Sequence, residues 1–185
     1  MMNRPVLAGL AVSILAPMCV LAQIPADSQP SVPAATQAPG AQTPAPAARG
    51  PSLKLALEAA QKAVDTCKGL DQKVGVTVVD SAGVLKVVLA TDGASTRGVA
   101  SSTNKALTAL AFTAPTSELG EKIKSNPALA DKIAANPNYN TRAGGVLLKV
   151  GDDVIGAIGV GGAKGSEKDE ACALAGREKV KRRLK

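Results

Sequence analysis

Two pairs of strand-like segments, each pair joined by a short polar turn, most constrain the fold of this chain. Residues 74–79 (VGVTVV) and 84–89 (VLKVVL) flank the turn sequence DSAG, and residues 145–150 and 154–160 flank GDD. Runs of β-branched residues with Gly and Asp between them are typical of β-hairpins. Strands joined by a hairpin run antiparallel, whereas parallel neighbours need a long crossover. The sequence therefore predicts an antiparallel sheet built from two hairpins.

Apolar residues at helical spacing surround the two hairpins. They predict helices at residues 53–67, 99–113, 116–124 and 127–134, and a last helix that begins at Ser166. Ser52 is a suitable cap for the first helix, and the sequence SEKD predicts a capping box between Ser166 and Asp169. Helix, two strands, helices, two strands and helix is an order that predicts an α+β domain in which helices flank the sheet.

The N-terminal part of the chain has the features of an exported protein. Residues 1–22 combine a short basic start, an apolar run and small residues suited to cleavage before Gln23, as in a signal peptide. Residues 23–51 are rich in Pro, Ala and Gln with few bulky apolar side chains, which predicts a disordered linker. We therefore expect one folded domain at residues 52–185, a periplasmic or secreted location, and no stable membrane insertion after processing.

Composition argues against two classes of function. The chain has a net charge of +7, much of it in the final residues REKVKRRLK, but its only aromatic residues are Phe112 and Tyr139. A nucleic-acid surface normally combines basic residues with stacking aromatic rings, so we expect no nucleic-acid partner. The chain has no histidine, so a Ser or Cys nucleophile would lack its usual base. Catalysis is therefore not favoured, although a reaction that uses Lys105 or Asp80 stays open.

Six segments, in order, carry a family resemblance. They are SLKLALEAAQKAV, VTVVDSAGVLK, TDGA, KALTALAFTAPTSEL, GGVLLKVGDDVIGAIGVGGA and DEACALAG. Together they resemble the GlcG/HbpS-like haem-binding family over residues 52–176. The resemblance implies a small antiparallel sheet flanked by helices, profilin-like in outline, and assembly into symmetric homo-oligomers.

Known relatives differ in function more than in fold. The family includes proteins similar to extracellular haem-binding partners of sensor kinases, to proteins encoded with glycolate oxidation enzymes, and to a domain of corrinoid adenosyltransferases. The resemblance implies an exported oligomer that binds haem or a related tetrapyrrole, with a possible sensor or enzyme partner. The alternative is a non-haem accessory module that binds a small organic acid or a partner protein.

One stripe of the predicted helix at residues 99–113 carries candidate ligand-binding residues. Ser101, Lys105, Thr108 and Phe112 are spaced four, three and four apart, which predicts a common face directed away from the sheet. A cation, hydroxyl groups and a ring suit an apolar ligand with a carboxylate, and Thr108 or Tyr139 offers an oxygen donor to haem iron. An oligomer interface requires the same mixture, so both interpretations stay open.

Two Glu-x-x-Glu pairs are candidate metal ligands. Glu118 with Glu121, and Glu167 with Glu170, resemble acidic motifs linked to iron binding in haem-binding relatives. Spacing of three residues places each pair on one helical face, and carboxylate oxygens suit iron. Glu118 and Glu167 also fall in predicted first helical turns, where negative charge is favourable in any case. Iron binding and simple helix stabilisation both stay open.

Cys67 and Cys172 are the cysteines that remain after removal of the predicted signal peptide. In an exported protein such a pair is expected to be oxidised. Cys67 ends the first predicted helix and Cys172 lies near the start of the last. If these two helices run antiparallel on one face of the sheet, the two sulfur atoms can meet, so we predict a disulfide.

Overall fold

The structure is a computed structural model, and it describes residues 48–185. The predicted signal peptide and most of the predicted linker lie outside the described residues. The helices are α1 (Leu53–Gly69), α2 (Thr96–Ala111), α3 (Thr116–Lys122), α4 (Pro127–Ala134) and α5 (Ser166–Val180). The strands are β1 (Gly75–Asp80), β2 (Leu85–Ala90), β3 (Gly145–Val150) and β4 (Asp153–Gly161). A single 3-10 turn, Lys181–Arg183, follows α5.

The four strands form one antiparallel sheet in the order β2-β1-β4-β3. The two hairpins, β1 with β2 and β3 with β4, are joined through the pairing of β1 with β4. Gly83 and Gly151 in the hairpin turns have φ angles of 80° and 59°, which glycine adopts without strain. The Asp80 carboxylate closes the first turn by accepting hydrogen bonds from the amides of Ala82 and Val84. The predicted α+β fold is confirmed.

Helices α1 and α5 cover one face of the sheet. The core there contains mainly small and β-branched residues, including Ala59, Val76, Val78 and Ile158, each with no exposed surface. The two helices are linked by a disulfide between Cys67 and Cys172, whose Cα atoms are 5.6 Å apart. The predicted disulfide is confirmed, and it links two cysteines with a sequence separation of 105 residues.

Helix α2 lies on the opposite face, directly on glycine residues of the strands. A Cβ atom added at Gly161 would lie 2.7 Å from the carbonyl oxygen of Gly98, and one added at Gly159 would lie 2.7 Å from the amide nitrogen of Ala106. Both distances are shorter than ordinary contacts, so no side chain fits between the strand and the helix. The small residues of GAIGVGG thus allow α2 to approach the sheet at backbone distance.

Two local predictions near helix ends need correction. The predicted capping box of α5 is wrong: the N-cap residue is Gly165, no side chain caps this helix, and Asp169 faces α2 instead. Helix α2 begins three residues earlier than predicted, because the Ser95 hydroxyl accepts a hydrogen bond from the Gly98 amide and caps it. Among the described residues, no helix is long and apolar enough to cross a membrane.

Residues before the predicted domain boundary at Ser52 also contact the folded domain. The backbone of Arg49 exchanges hydrogen bonds with Ser81, donating to its hydroxyl oxygen and accepting from its amide. Pro51 is buried. Ser52 caps α1 as predicted, with its hydroxyl oxygen 3.3 Å from the amide nitrogen of Leu55.

Candidate functional site

A buried ion pair joins α2 to the start of α5. The Lys105 ammonium donates a hydrogen bond to Asp169 Oδ2 at 2.7 Å and another to the Val160 carbonyl oxygen at 3.0 Å. The other carboxylate oxygen of Asp169 accepts from the Ala163 amide at 3.0 Å. Lys105 and Asp169 are 2% and 3% exposed. Burial lowers the pKa of Lys105, and its hydrogen bond to Asp169 opposes this effect.

The spacing predicted that the stripe of candidate residues is directed away from the sheet. In the structure it is not. Lys105 and Thr108 are buried, whereas Ser101 and Phe112 are partly exposed. Helix α2 lies at backbone distance from glycines of the sheet, and the loop before β3 packs on a further part of its surface, where Asn140 hydrogen-bonds to Thr108 and Ser101. More of the helix surface is therefore buried than an amphipathic pattern alone indicates.

Thr108 holds the loop before β3 against α2. Its hydroxyl donates to the Asn104 carbonyl oxygen at 2.6 Å and accepts from the Asn140 amide at 2.9 Å. The side chain of Asn140 in turn donates to the Ser101 hydroxyl at 3.0 Å. The single hydroxyl proton of Thr108 is thus already used within the fold.

Phe112 and Tyr139, the two aromatic candidates, lie together. Their ring centroids are 5.1 Å apart with an interplanar angle of 75°, an edge-to-face arrangement. The Lys132 ammonium lies 5.5 Å from the centre of the Phe112 ring. Both rings are partly exposed, so they form a small aromatic surface at the end of α2.

The four glutamate candidates occupy separate places. Glu118 pairs with Lys122 at 3.8 Å, and Glu121 pairs with Lys124 at 2.7 Å. Glu170 accepts a hydrogen bond from Ser117, and Glu167 lies beside Gly165 at the start of α5. Within the described part of the chain, no group of three or more His, Cys, Asp or Glu residues is placed to hold a metal ion.

An open groove with basic residues lies between β3 and the end of the chain. We call it the basic groove; its volume is about 570 Å³. The residues that define it are Leu147, Lys149, Val150, Arg177, Arg182 and Leu184. A smaller cleft of about 250 Å³ adjoins it, shares Leu147, Lys149 and Arg177 with it, and reaches Thr113 beside the aromatic pair. The two together place buried apolar residues among several cations, with the carboxylate of Glu118 in the smaller cleft.

A second opening, of about 330 Å³, lies above the buried ion pair. We call it the polar cleft. Its defining residues are Ser95, Arg97, Ser101, Lys105, Arg142 and Asp169. The first turns of α2 and α5 both border this cleft. It is therefore lined mainly by polar and charged groups, in contrast to the basic groove.

Several residues of these sites were not identified from the sequence. Asp169, Arg142 and Arg177 lie far along the chain from the residues that they accompany. One signal for the ion pair was present, because a lysine among the Ala, Leu and Thr residues of KALTALA needs a counter-charge if that helix is buried. The arginines of the two clefts have no comparable local signal.

The sequence matches the family model described as "Haem degrading protein HbpS-like" over residues 52–178. The chain belongs to the HbpS-like family. Its fold is similar to a crystal structure of HbpS, with 35% identity, a TM-score of 0.64, and coverage of 70% of this chain and 89% of that one. It is also similar to a double mutant of the Streptomyces reticuli HbpS, with 33% identity, a TM-score of 0.66, and coverage of 79% and 97%.

A more distant similarity concerns the fold alone. The PduOC haem complex is 24% identical, with a TM-score of 0.66 and coverage of 71% of this chain and 95% of that one. No curated protein matches the sequence significantly. HbpS-like membership thus rests on the family model and on two solved structures at one third identity.

Proposed function

We propose that this protein is an exported homo-oligomer that binds haem or a related tetrapyrrole in the basic groove. The observation that carries the proposal is the combination of an apolar floor with a cationic rim in one groove of about 570 Å³. Ligand sites of proteins commonly measure about 300–1,000 Å³ and are lined by apolar groups with a few polar ones. Membership of the HbpS-like family supports the same class of ligand.

The groove suits the shape and charge of a tetrapyrrole. Such a ligand has a flat apolar ring with carboxylates along one edge. Leu147 and Leu184 offer apolar contacts for the ring, and Lys149 and Arg182 offer positive charge to the carboxylates, whereas Arg177 is already paired with Glu178. Arginine binds carboxylates well because its planar guanidinium donates two parallel hydrogen bonds.

The described residues offer fewer groups suited to binding haem iron than groups suited to contacting the porphyrin ring. Haem iron is usually held by His, Cys, Met or Tyr. The chain has no histidine, and Cys67 and Cys172 form the disulfide, so Tyr139 is the one usual ligand among the described residues. Haem would supply redox and ligand-binding chemistry, but the proposed affinity depends on the ring and its carboxylates. The lining of the groove suits the ring and its carboxylates, but Tyr139 does not line it, so no usual iron ligand of residues 48–185 lies in the groove.

A haemin titration tests the proposal. We expect saturable binding with a Soret shift, and comparable affinity for iron-free protoporphyrin, because the contacts address the ring and carboxylates. Lys149→Gln and Arg182→Gln should each weaken binding about three- to tenfold. Arg183→Gln, an exposed arginine outside the groove, is the matched control. Absence of saturable binding would contradict the proposal. If only Phe112→Ala weakened haemin binding, the ligand site would lie at the aromatic pair instead of the basic groove.

An exposed apolar edge supports the homo-oligomer. Strand β2 is one of the two edge strands of the sheet, and Val84, Leu85 and Val88 on and beside it are 56%, 53% and 43% exposed. Apolar groups clustered on an unpaired edge are typical of an interaction surface. A sensor or enzyme partner, also implied by the family resemblance, stays a prediction.

We expect Val88→Asp to shift the protein to smaller species, because a charge at the edge would be buried in the interface. Light scattering coupled to size-exclusion chromatography measures this change. Val88→Thr, an uncharged change of similar size at the same position, is the matched control, and circular dichroism of Val88→Asp checks that the variant folds. An unchanged mass in Val88→Asp would place the interface elsewhere, with Phe112 as the next candidate.

Export is supported by the disulfide together with the predicted signal peptide. Disulfides persist mainly in oxidising compartments such as the periplasm and the extracellular medium. The link between Cys67 and Cys172 lies within the packed core, where both residues have no exposed surface. A periplasmic or secreted location agrees with these features, and fractionation of the expressing cells would test it.

A further inference from the structure

The polar cleft collects more positive than negative charge. Its lining contains three cations, Arg97, Lys105 and Arg142, and one carboxylate, that of Asp169. Arg97 comes from the first turn of α2 and Arg142 from the loop before β3, so unrelated parts of the chain bring their charges together. The positive ends of two helix dipoles, those of α2 and α5, border the same space and add to its attraction for anions.

The two guanidiniums of the cleft are not neutralised by the protein. Within residues 48–185, neither the Arg97 nor the Arg142 side chain takes part in an ion pair. Arg142 is close enough to Lys105 that its charge contributes to lowering the pKa of the lysine. Like charges that face one cavity without a counter-ion repel each other, and a bound anion would relieve that repulsion.

The floor of the cleft retains capacity to bind a ligand. A lysine ammonium has three hydrogen-bond donors. Two of those of Lys105 are used, by Asp169 and by the Val160 carbonyl, which leaves one. Lys105 lines the cleft and two hydrogen bonds fix its ammonium in place, so the third donor is the one left for a ligand.

We propose that the polar cleft binds a small dicarboxylate, independently of any tetrapyrrole in the basic groove. Arg97 and Arg142 would hold the carboxylates, and the third donor of Lys105 would meet one of them from below. The volume of about 330 Å³ is near the lower limit of ligand sites, and the lining is polar, so the ligand is small and highly charged. The side chain of Glu167 lies beside Gly165 at the border of the cleft, and its negative charge would repel the bound anion.

Calorimetric titration of the purified protein with succinate at low ionic strength tests this site. We expect one saturable site per chain, weakened about tenfold by Arg97→Gln and by Arg142→Gln, since each removes a charged hydrogen-bond donor. Glu167→Gln should tighten binding about two- to threefold. Arg183→Gln is the matched control and should leave the affinity unchanged. These side chains are exposed, so the variants should fold normally.

Three results would overturn the proposal. The first is absence of saturable succinate binding, or an affinity in both arginine variants that equals that of the wild-type protein. The second is tighter binding of inorganic phosphate than of succinate, which would assign the cleft to a phosphate group. The third is competition between haemin and succinate, which would make the cleft part of a tetrapyrrole site. Succinate binding without haemin binding would support this proposal while it contradicts the proposed tetrapyrrole function.

Discussion

Replacement of both Cys67 and Cys172 by alanine is expected to lower the free energy of unfolding by about 4–5 kcal/mol. The disulfide closes a loop with a sequence separation of 105 residues, and cross-linking positions so far apart restricts the unfolded chain strongly in the chain-entropy model. A loss of this size is a large part of the 5–15 kcal/mol that typically stabilises a domain. Urea unfolding monitored by circular dichroism measures the change.

Reduced wild-type protein is the control for the cysteine variant. Alanine removes the two sulfur atoms as well as their bond, whereas reduction breaks the bond alone and leaves two buried thiols. We expect reductant to destabilise the wild type and to leave the double alanine variant unchanged. Two free thiols in the unfolded, unreduced protein without residues 1–22 would show that the disulfide does not form, and would contradict the prediction.

Asp169→Asn is expected to destabilise the fold by about 3–5 kcal/mol, because it leaves the buried Lys105 ammonium without its counter-charge. If the asparagine oxygen accepts from the Ala163 amide, its NH2 group faces the Lys105 ammonium, so both the charge and the hydrogen bond to Lys105 are lost. Addition of Lys105→Met should restore part of the stability, since the double variant buries no unpaired cation. Chemical denaturation at neutral pH provides the comparison.

The exposed pair of Lys124 with Glu121 is a matched control for burial. Its nitrogen-to-oxygen distance is 2.7 Å, the same as in the buried pair, but its side chains are 67% and 74% exposed. Glu121→Gln should therefore change the stability by less than about 1 kcal/mol. Similar effects of Asp169→Asn and Glu121→Gln would show that burial does not amplify the interaction, contrary to our expectation.

The parts of the fold that the sequence predicts well are those with local causes. Turn residues next to β-branched runs indicate both hairpins, and Ser52 marks the start of α1. The disulfide was predictable because two cysteines remain in the folded region and each lies at a recognisable place in a helix. The capping box of α5 failed for the opposite reason: Asp169 has a stronger partner 64 residues away, which no local pattern reveals.

The site was less predictable because its residues meet only in the folded chain. Phe112 and Tyr139 were identified as candidates and lie in contact, but Lys105 and Thr108 are engaged in bonds within the protein. Helical periodicity distinguishes buried residues from exposed ones only when the rest of the protein covers a single face of the helix. Here α2 is covered by the sheet and by the loop before β3, so a polar residue such as Thr108 on its second side is buried.

The glycines beneath α2 limit how this architecture can diversify. Gly159 and Gly161 fix the height of the helix by backbone contact, and a larger residue at either position would displace the residues that α2 carries. Stepwise replacement of Gly159 or Gly161 by larger residues is therefore not tolerated without movement of α2. Selection for a different ligand would act instead on the border positions, such as Arg97 and Arg142, where side chains can be exchanged without moving the helix.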